Sequence, residues 1–333
     1  MVNPWIQFLI SAAIIIYAGS KLTRNAAVVA ENTGIGSAWV GAMLLPLATS
    51  LPELVTTLTA VSIDAPDLAL GNLLGSCLYN LALLAMLDML IGRGNLTARL
   101  IQGHIVTVTL SIMTLSLVSI AMLGILVIPV GWIGLESVII AMVYIFGSRL
   151  IYRYEQKNAL PSKRDEHFQD NHKLPSTRLA LLQFMAAAVI IIAAGVVITD
   201  AADRIAITTG LGHSFVGSIF LAISTGLPET VTTVSAMRLG YLDMAVANVF
   251  GANVVNVFLV FWADLLYLQA PLLSRVLEIH LLSSIMIIML SAVFVFGLVY
   301  RSERKLFRVG FDSWLILAGY LMTVYLIFIF GGN

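Results

Sequence analysis

One stretch of this sequence occurs twice, and each copy sets a glutamate inside an apolar run. TSLPELVTT at Thr49–Thr57 is followed by GNLLGSCLYN at Gly71–Asn80; 176 residues later, TGLPETVTT at Thr225–Thr233 is followed by ANVFGANVVN at Ala247–Asn256. The offset holds without a gap. Between 37–84 and 213–260, 17 of 48 pairs are identical, and they include Pro, Glu, Thr, Asn and Asp, which apolar composition alone would not align. Outside that window Asp88 pairs with Asp264, Arg99 with Arg275, His104 with His280, and Gly134 with Gly310.

The runs that carry these segments are long enough to cross a hydrocarbon core of about 30 Å. Spans are expected near 4–20, 37–61, 67–90, 103–122 and 132–151, and again near 180–198, 213–237, 243–263, 279–299 and 312–330. Only 11% of residues are charged and 59% are hydrophobic, too few charges to cover a soluble surface. The predicted fold is therefore an all-α polytopic membrane protein. It has ten transmembrane helices in two five-helix repeats, 1–151 and 179–333, with motif segments 37–84 and 213–260. The first run, Trp5–Gly19, lacks the basic start of a signal peptide. Its Gln7-Phe8 and Gly19 recur at Gln183-Phe184 and Gly195, so it reads as a retained span.

Five spans per half is an odd number, so the second copy must enter from the opposite side. With both termini outside, 16 of the 18 Lys and Arg residues fall in inside loops, leaving only Arg204 and Arg275 outside. That is the bias expected of cytoplasmic loops, and it fixes the predicted orientation. The hydrophilic linker 152–178 is then cytoplasmic, a tether too short to fold as a regulatory domain. Its compactness, and the lack of a targeting segment, point to a prokaryotic plasma membrane.

An ionisable side chain at bilayer depth costs several kcal/mol without a partner, so paired intramembrane carboxylates imply function. Pro52 and Pro228 each remove a backbone donor and should break the helix just before them. Thr49, Ser50, Ser224 and Thr225 then lie where freed backbone groups need partners. Glu53 and Glu229 follow one residue after each proline, and inverted copies can bring two such breaks to the membrane midplane. The next spans supply Asn72, Ser76 and Asn80 at helical spacing, and Asn248, Ala252 and Asn256 in the second copy. Gly71, Gly75 and Gly251 would let helices approach closely. Carboxylate, hydroxyl and amide oxygens suit a hard cation; Ca²⁺ takes six to eight of them in loose geometry, Mg²⁺ only a tight octahedron. The lone Cys77 offers no soft-metal site and no disulfide framework. Asp67 and Asp243 read as helix caps, Asp88, Asp264, His104 and His280 as interfacial anchors. Asn72 and Asn248 could be either ligands or interhelical hydrogen-bond formers.

The doubled P-E segment, each followed by N-x-x-G-x-x-x-x-N, resembles the α-repeats of the cation/Ca²⁺ antiporter superfamily, on its sodium/calcium exchanger branch. The resemblance extends to the ten-span inverted topology and so covers nearly the whole chain. It implies an antiporter, not an enzyme, working by alternating access. Its ion sites would be lined by Thr49, Ser50, Glu53, Ser76 and Asn80 with Thr225, Glu229 and Asn256, and Ca²⁺ would sit between the two glutamates. The expected partners are the lipid bilayer, a divalent substrate and a monovalent counter-ion, without cofactor and without nucleic acid. The chain departs from the family pattern at Gly226 and Ala252, where hydroxyls are lost, and at Asn256, where exchangers often carry an acid; Pro46, Ala48 and Cys77 also differ. Since Na⁺ sites use such oxygens, an H⁺-coupled or Mg²⁺-preferring exchanger is the alternative. A passive channel fits broken midplane helices less well, and a membrane enzyme finds no nucleophile beside a base and no HExxH motif.

Overall fold

The computed structural model describes residues 3–91, 96–125, 128–158, 175–209, 224–301, 305–306 and 309–330. Helices dominate it: α1 (Pro4–Thr33), α2 (Ser37–Thr49), α3 (Leu51–Ser62), α4 (Pro66–Ile91), α5 (His104–Met122) and α6 (Leu135–Asn158) come from the first half. The second half adds α7 (Thr177–Thr208), α8 (Leu227–Arg238), α9 (Leu242–Leu266), α10 (Ile279–Tyr300) and α11 (Phe311–Phe330). Eight described helices are long and apolar enough to cross a membrane, and nine if the bent pair α2–α3 counts as one span. Side chains such as Leu9, Tyr17, Phe146, Leu182 and Phe296 stay exposed, as lipid-facing residues do and as a soluble surface would not tolerate. The first part of the expected seventh span, up to residue 223, lies outside the described residues.

Local chemistry explains the helix ends. Asn3 caps α1 by accepting from the Trp5 N–H (3.0 Å), Pro4 takes the first helical position, and Gly34 ends the helix at φ 69°. Ser176 caps α7 through the Leu179 N–H. Both helices outrun the expected spans 4–20 and 180–198, because their polar ends still satisfy the backbone once the apolar stretch is over. α6 likewise runs on past 151, to Asn158.

Two compact units form, Met1–Pro52 with Tyr152–Ala252, and Glu53–Ile151 with Asn253–Asn333. Neither is one half of the chain; each draws on both. In the first unit α1 lies along α7 and α8, with Ile15, Ala194 and Ile198 at its core and Leu227 and Val231 packed on them. Gly19 takes the pressure of Val231: a Cβ there would lie 2.8 Å from Val231 Cγ1. Its counterpart Gly195 faces Pro52 at 2.7 Å. In the second unit α10 packs on α5, α4 and α11. Ser119 and Ser284 join hydroxyls at 2.7 Å across the α5–α10 contact. Two short antiparallel hairpins, Pro129–Val130 with Ile133–Gly134 and Lys305–Leu306 with Val309–Gly310, precede α6 and α11.

Candidate ion-binding segments

The two P-E segments break in the same way. Ser50 (φ −85°, ψ 7°) separates α2 from α3, which are bent 44° apart, and its counterpart Gly226 (φ −80°, ψ 4°) precedes α8. Each break lies two residues before a proline that cannot donate to the carbonyl four residues back, at Ala48 or Ser224. Neither conformation is left-handed, so Gly226 is not required by its backbone. Ahead of the first break the helix widens into a π turn over Val40–Leu44, which the sequence reading did not foresee; Pro46, six residues upstream of Pro52, already disturbs the ladder.

In the first unit Thr49, Ser50 and Glu229 come together. All three are buried, and both Thr49 and Ser50 present their hydroxyls to the Glu229 carboxylate. Thr49 donates to Leu45 O (3.2 Å), which leaves its oxygen able to accept. Neither Glu229 oxygen, nor Ser50 Oγ, nor Asn248 Oδ1 makes a hydrogen bond of normal geometry among the described residues. Thr225 is half-buried beside the break. Buried acceptor oxygens without donors are costly unless a cation completes them.

In the second unit Glu53 and Asn80 are buried and Ser76 is half-buried. Asn80 Nδ2 donates to Asn253 Oδ1 at 3.0 Å. The Cys77 thiol contacts Asn253 O (3.7 Å), lies beside the Asn256 amide and feels the charge of Glu53. Asn256 Oδ1 is buried without a donor. Asn253 is the residue beside these candidate ligands that sequence reasoning missed. Its signal was the offset, which pairs it with Cys77 and restores an amide where the first copy has a thiol.

Asn72 and Asn248 resolve as helix-joining groups. Asn72 Nδ2 donates to Thr57 Oγ1 (3.1 Å) in one unit, and Asn248 Nδ2 to the equivalent Thr233 Oγ1 (3.0 Å) in the other. Asn248 also reaches Thr232 Oγ1 at 3.1 Å. Asp67 serves less as a cap than as a tie, because its carboxylate accepts from the Leu277 N–H (2.6 Å) and lies 3.3 Å from His280 Nε2. Gly71 faces His280, and Gly75, expected to allow a close approach, meets nothing within 4 Å. Gly251 and Gly41 do press on backbone, that of Ala42 and of Met244. Among the described residues no three His, Cys, Asp or Glu side chains gather into a metal cluster. The donors are hydroxyls, amides and single carboxylates, a set that suits a hard ion in transit.

The chain is similar in sequence and fold to known proteins. The sequence profile of the sodium/calcium exchanger protein family matches residues 3–152 and 179–330. An uncharacterised membrane protein of Methanocaldococcus jannaschii is 22% identical over 250 residues, 75% of this chain and 77% of its own length. The inner membrane protein YrbG of Escherichia coli is 24% identical over 253 residues, 76% of each chain. The sodium/calcium exchanger MaX1 of Methanosarcina acetivorans is 45% identical over a shorter stretch of 51 residues, 15% of each chain. A solved structure of the sodium-calcium exchanger NCX_Mj has the same fold, with a TM-score of 0.73 at 18% identity over 98% of both chains. The match extends over both halves of the repeat and the fold agrees along nearly all the chain: this multi-pass membrane protein belongs to the sodium/calcium exchanger family, within the cation/Ca²⁺ antiporter superfamily.

Proposed function

We propose that the chain exchanges Ca²⁺ for Na⁺ by alternating access, with Glu53 and Glu229 as the shared ligands of a midplane site. The observation that carries this reading is the Glu229 carboxylate, buried against the Thr49 and Ser50 hydroxyls with no hydrogen bond of normal geometry among the described residues. A divalent ion is neutralised by two glutamates and completed by the hydroxyl and amide oxygens of Thr49, Thr225, Ser50, Ser76, Asn80 and Asn256. The same carboxylates bind either the divalent ion or its counter-ions, never both, and that exclusivity couples the two fluxes. Relatives named as sodium/calcium exchangers support the choice of ions. No resident cofactor enters the scheme. Both termini face outward and the linker 152–178 lies in the cytoplasm of a prokaryotic cell, as the Lys and Arg distribution favours.

A second reading, H⁺ in place of Na⁺, or Mg²⁺ in place of Ca²⁺, is favoured by the hydroxyls absent at Gly226 and Ala252. Radiolabelled Ca²⁺ uptake into proteoliposomes separates them. Uptake driven by an outward Na⁺ gradient supports Na⁺ coupling, and uptake driven only by an H⁺ gradient replaces it. Absence of Ca²⁺ uptake under both gradients defeats the Ca²⁺ reading.

A further inference from the structure

Asp88 and Asp264 occupy equivalent positions in the last turns of α4 and α9, and both are fully buried. Asp88 accepts from the Leu96 N–H (2.9 Å), the Gly310 N–H (2.8 Å) and the Ser313 hydroxyl (2.8 Å). Asp264 accepts from the Leu272 N–H (2.6 Å) and the Gly134 N–H (2.8 Å), with the Ser137 hydroxyl beside it. The 176-residue offset relates every donor of one set to the other. Each aspartate thus clasps the start of the fifth helix of the opposite half.

One neighbouring position breaks the match. Asp312, at the start of α11, receives the Thr97 hydroxyl at 2.8 Å. Its counterpart is Glu136, and the counterpart of Thr97 is Leu273, a buried residue with no side-chain donor. Glu136 is 0% exposed, and neither carboxyl oxygen makes a hydrogen bond of normal geometry among the described residues. Its side chain folds back over Gly134, where a Cβ would collide with the carboxyl group, and Gly134 is the residue whose N–H binds Asp264. The neighbouring charge that Glu136 feels is that of Asp264.

Two carboxylates gathered on one glycine, Asp264 bonded to the Gly134 N–H and Glu136 folded over the same residue, repel one another and lose solvation. Among the described residues no Lys or Arg pairs with either carboxylate, and His280 at the start of α10 is turned to Asp67. Glu136 is the acidic residue in the first turn of α6, the last turn of α5 carries no basic residue, and the hairpin before α6 carries no charge. Arg275 ends the Leu272–Ser274 turn but is exposed, and its charge acts on Tyr267 together with Asp64. The compensating charge must come from solution. We propose that Glu136 and Asp264 form a second cation site, apart from the P-E segments, that takes one small monovalent cation, a proton or Na⁺. Its equivalent in the other half is closed by Thr97 and takes none.

The test uses the full chain in detergent with Glu53→Gln and Glu229→Gln installed, so that the candidate transport site contributes nothing. Binding to the folded state alone raises Tm by about 2 °C for each tenfold excess of cation over its dissociation constant. A Tm that climbs on lowering pH in Na⁺-free buffer identifies a proton; one that climbs with Na⁺ at fixed alkaline pH identifies Na⁺. Adding Glu136→Gln should flatten whichever response is seen, and for a proton should also remove a protonated-carboxyl band from the infrared spectrum. A response that survives Glu136→Gln, or no response to either cation, overturns the proposal. Should that variant fail to fold, Leu273→Thr decides instead: it offers Glu136 the donor that Asp312 has and should weaken the response, and an undiminished response overturns the proposal.

Discussion

Ser50 holds a buried hydroxyl in the break of the second span, with no donor among the described residues and Glu229 facing it. Ser50→Ala should therefore keep the fold, since its backbone conformation suits alanine, and weaken Ca²⁺ binding several-fold, seen as a raised KM for uptake. Glu53→Gln and Glu229→Gln should each abolish exchange with Tm nearly unchanged; near-normal flux in both would remove the glutamates from the site. Gly226→Ser tests the opposite change, because nothing in the backbone there demands glycine. A gain in Na⁺-driven over H⁺-driven uptake would show that this hydroxyl sets coupling. Asp88 has another role. Its carboxylate answers three donors, so Asp88→Ala leaves all three unpaired and should cost on the order of 3 kcal/mol or more, read as a large fall in Tm. Much of this scale was legible in the sequence. The glutamates, Thr49 and Asn80 stand in the repeated segments that the sequence marks as a candidate ion site. Asn72 and Asn248 were ambiguous because an amide that joins helices and one that binds ions look alike until its partner is known. Asn253, Asp88 and Glu136 were harder still, since their partners lie far along the chain.

Between helices, glycines decide how near two backbones come. α9 meets α2 through Gly251 at Ala42 and through Gly41 at Met244, whereas Gly75, the counterpart of Gly251, has open space where a side chain would stand. Gly251→Ala must displace backbone and should destabilise by about 1–3 kcal/mol. Gly75→Ala should be neutral or stabilise by up to about 1 kcal/mol through helix propensity. Thermal melting of the pair gives a direct contrast. The broken helices were legible because proline chemistry dictates them, and the break at Ser50 and Gly226 recurs within a few degrees of dihedral angle. The difference between Gly75 and Gly251 was not legible, since a repeat suggests equal packing while each copy meets different neighbours.

At the scale of the whole molecule, each compact unit combines residues from both halves of the chain. Cutting the linker should therefore leave the halves joined. Fragments 1–158 and 175–333 made together should co-purify and retain Ca²⁺ uptake within a few-fold of the intact chain; fragments that separate in mild detergent would contradict this. Sidedness is open to a simple assay once Cys77→Ser clears the background. Lys157→Cys should react with an impermeant thiol reagent only from the cytoplasmic side, and Arg204→Cys only from outside.

The reciprocal aspartate clasps also impose an order on biosynthesis. Asp264 is made when its partner Gly134 is already in place, but Asp88 must wait for Gly310, 222 residues later. At about 5–20 residues per second that wait is roughly 10–45 s. Throughout it the nascent first half holds a carboxyl group with two of its three eventual donors not yet synthesised, so this half is the one exposed to quality-control proteases if translation stalls.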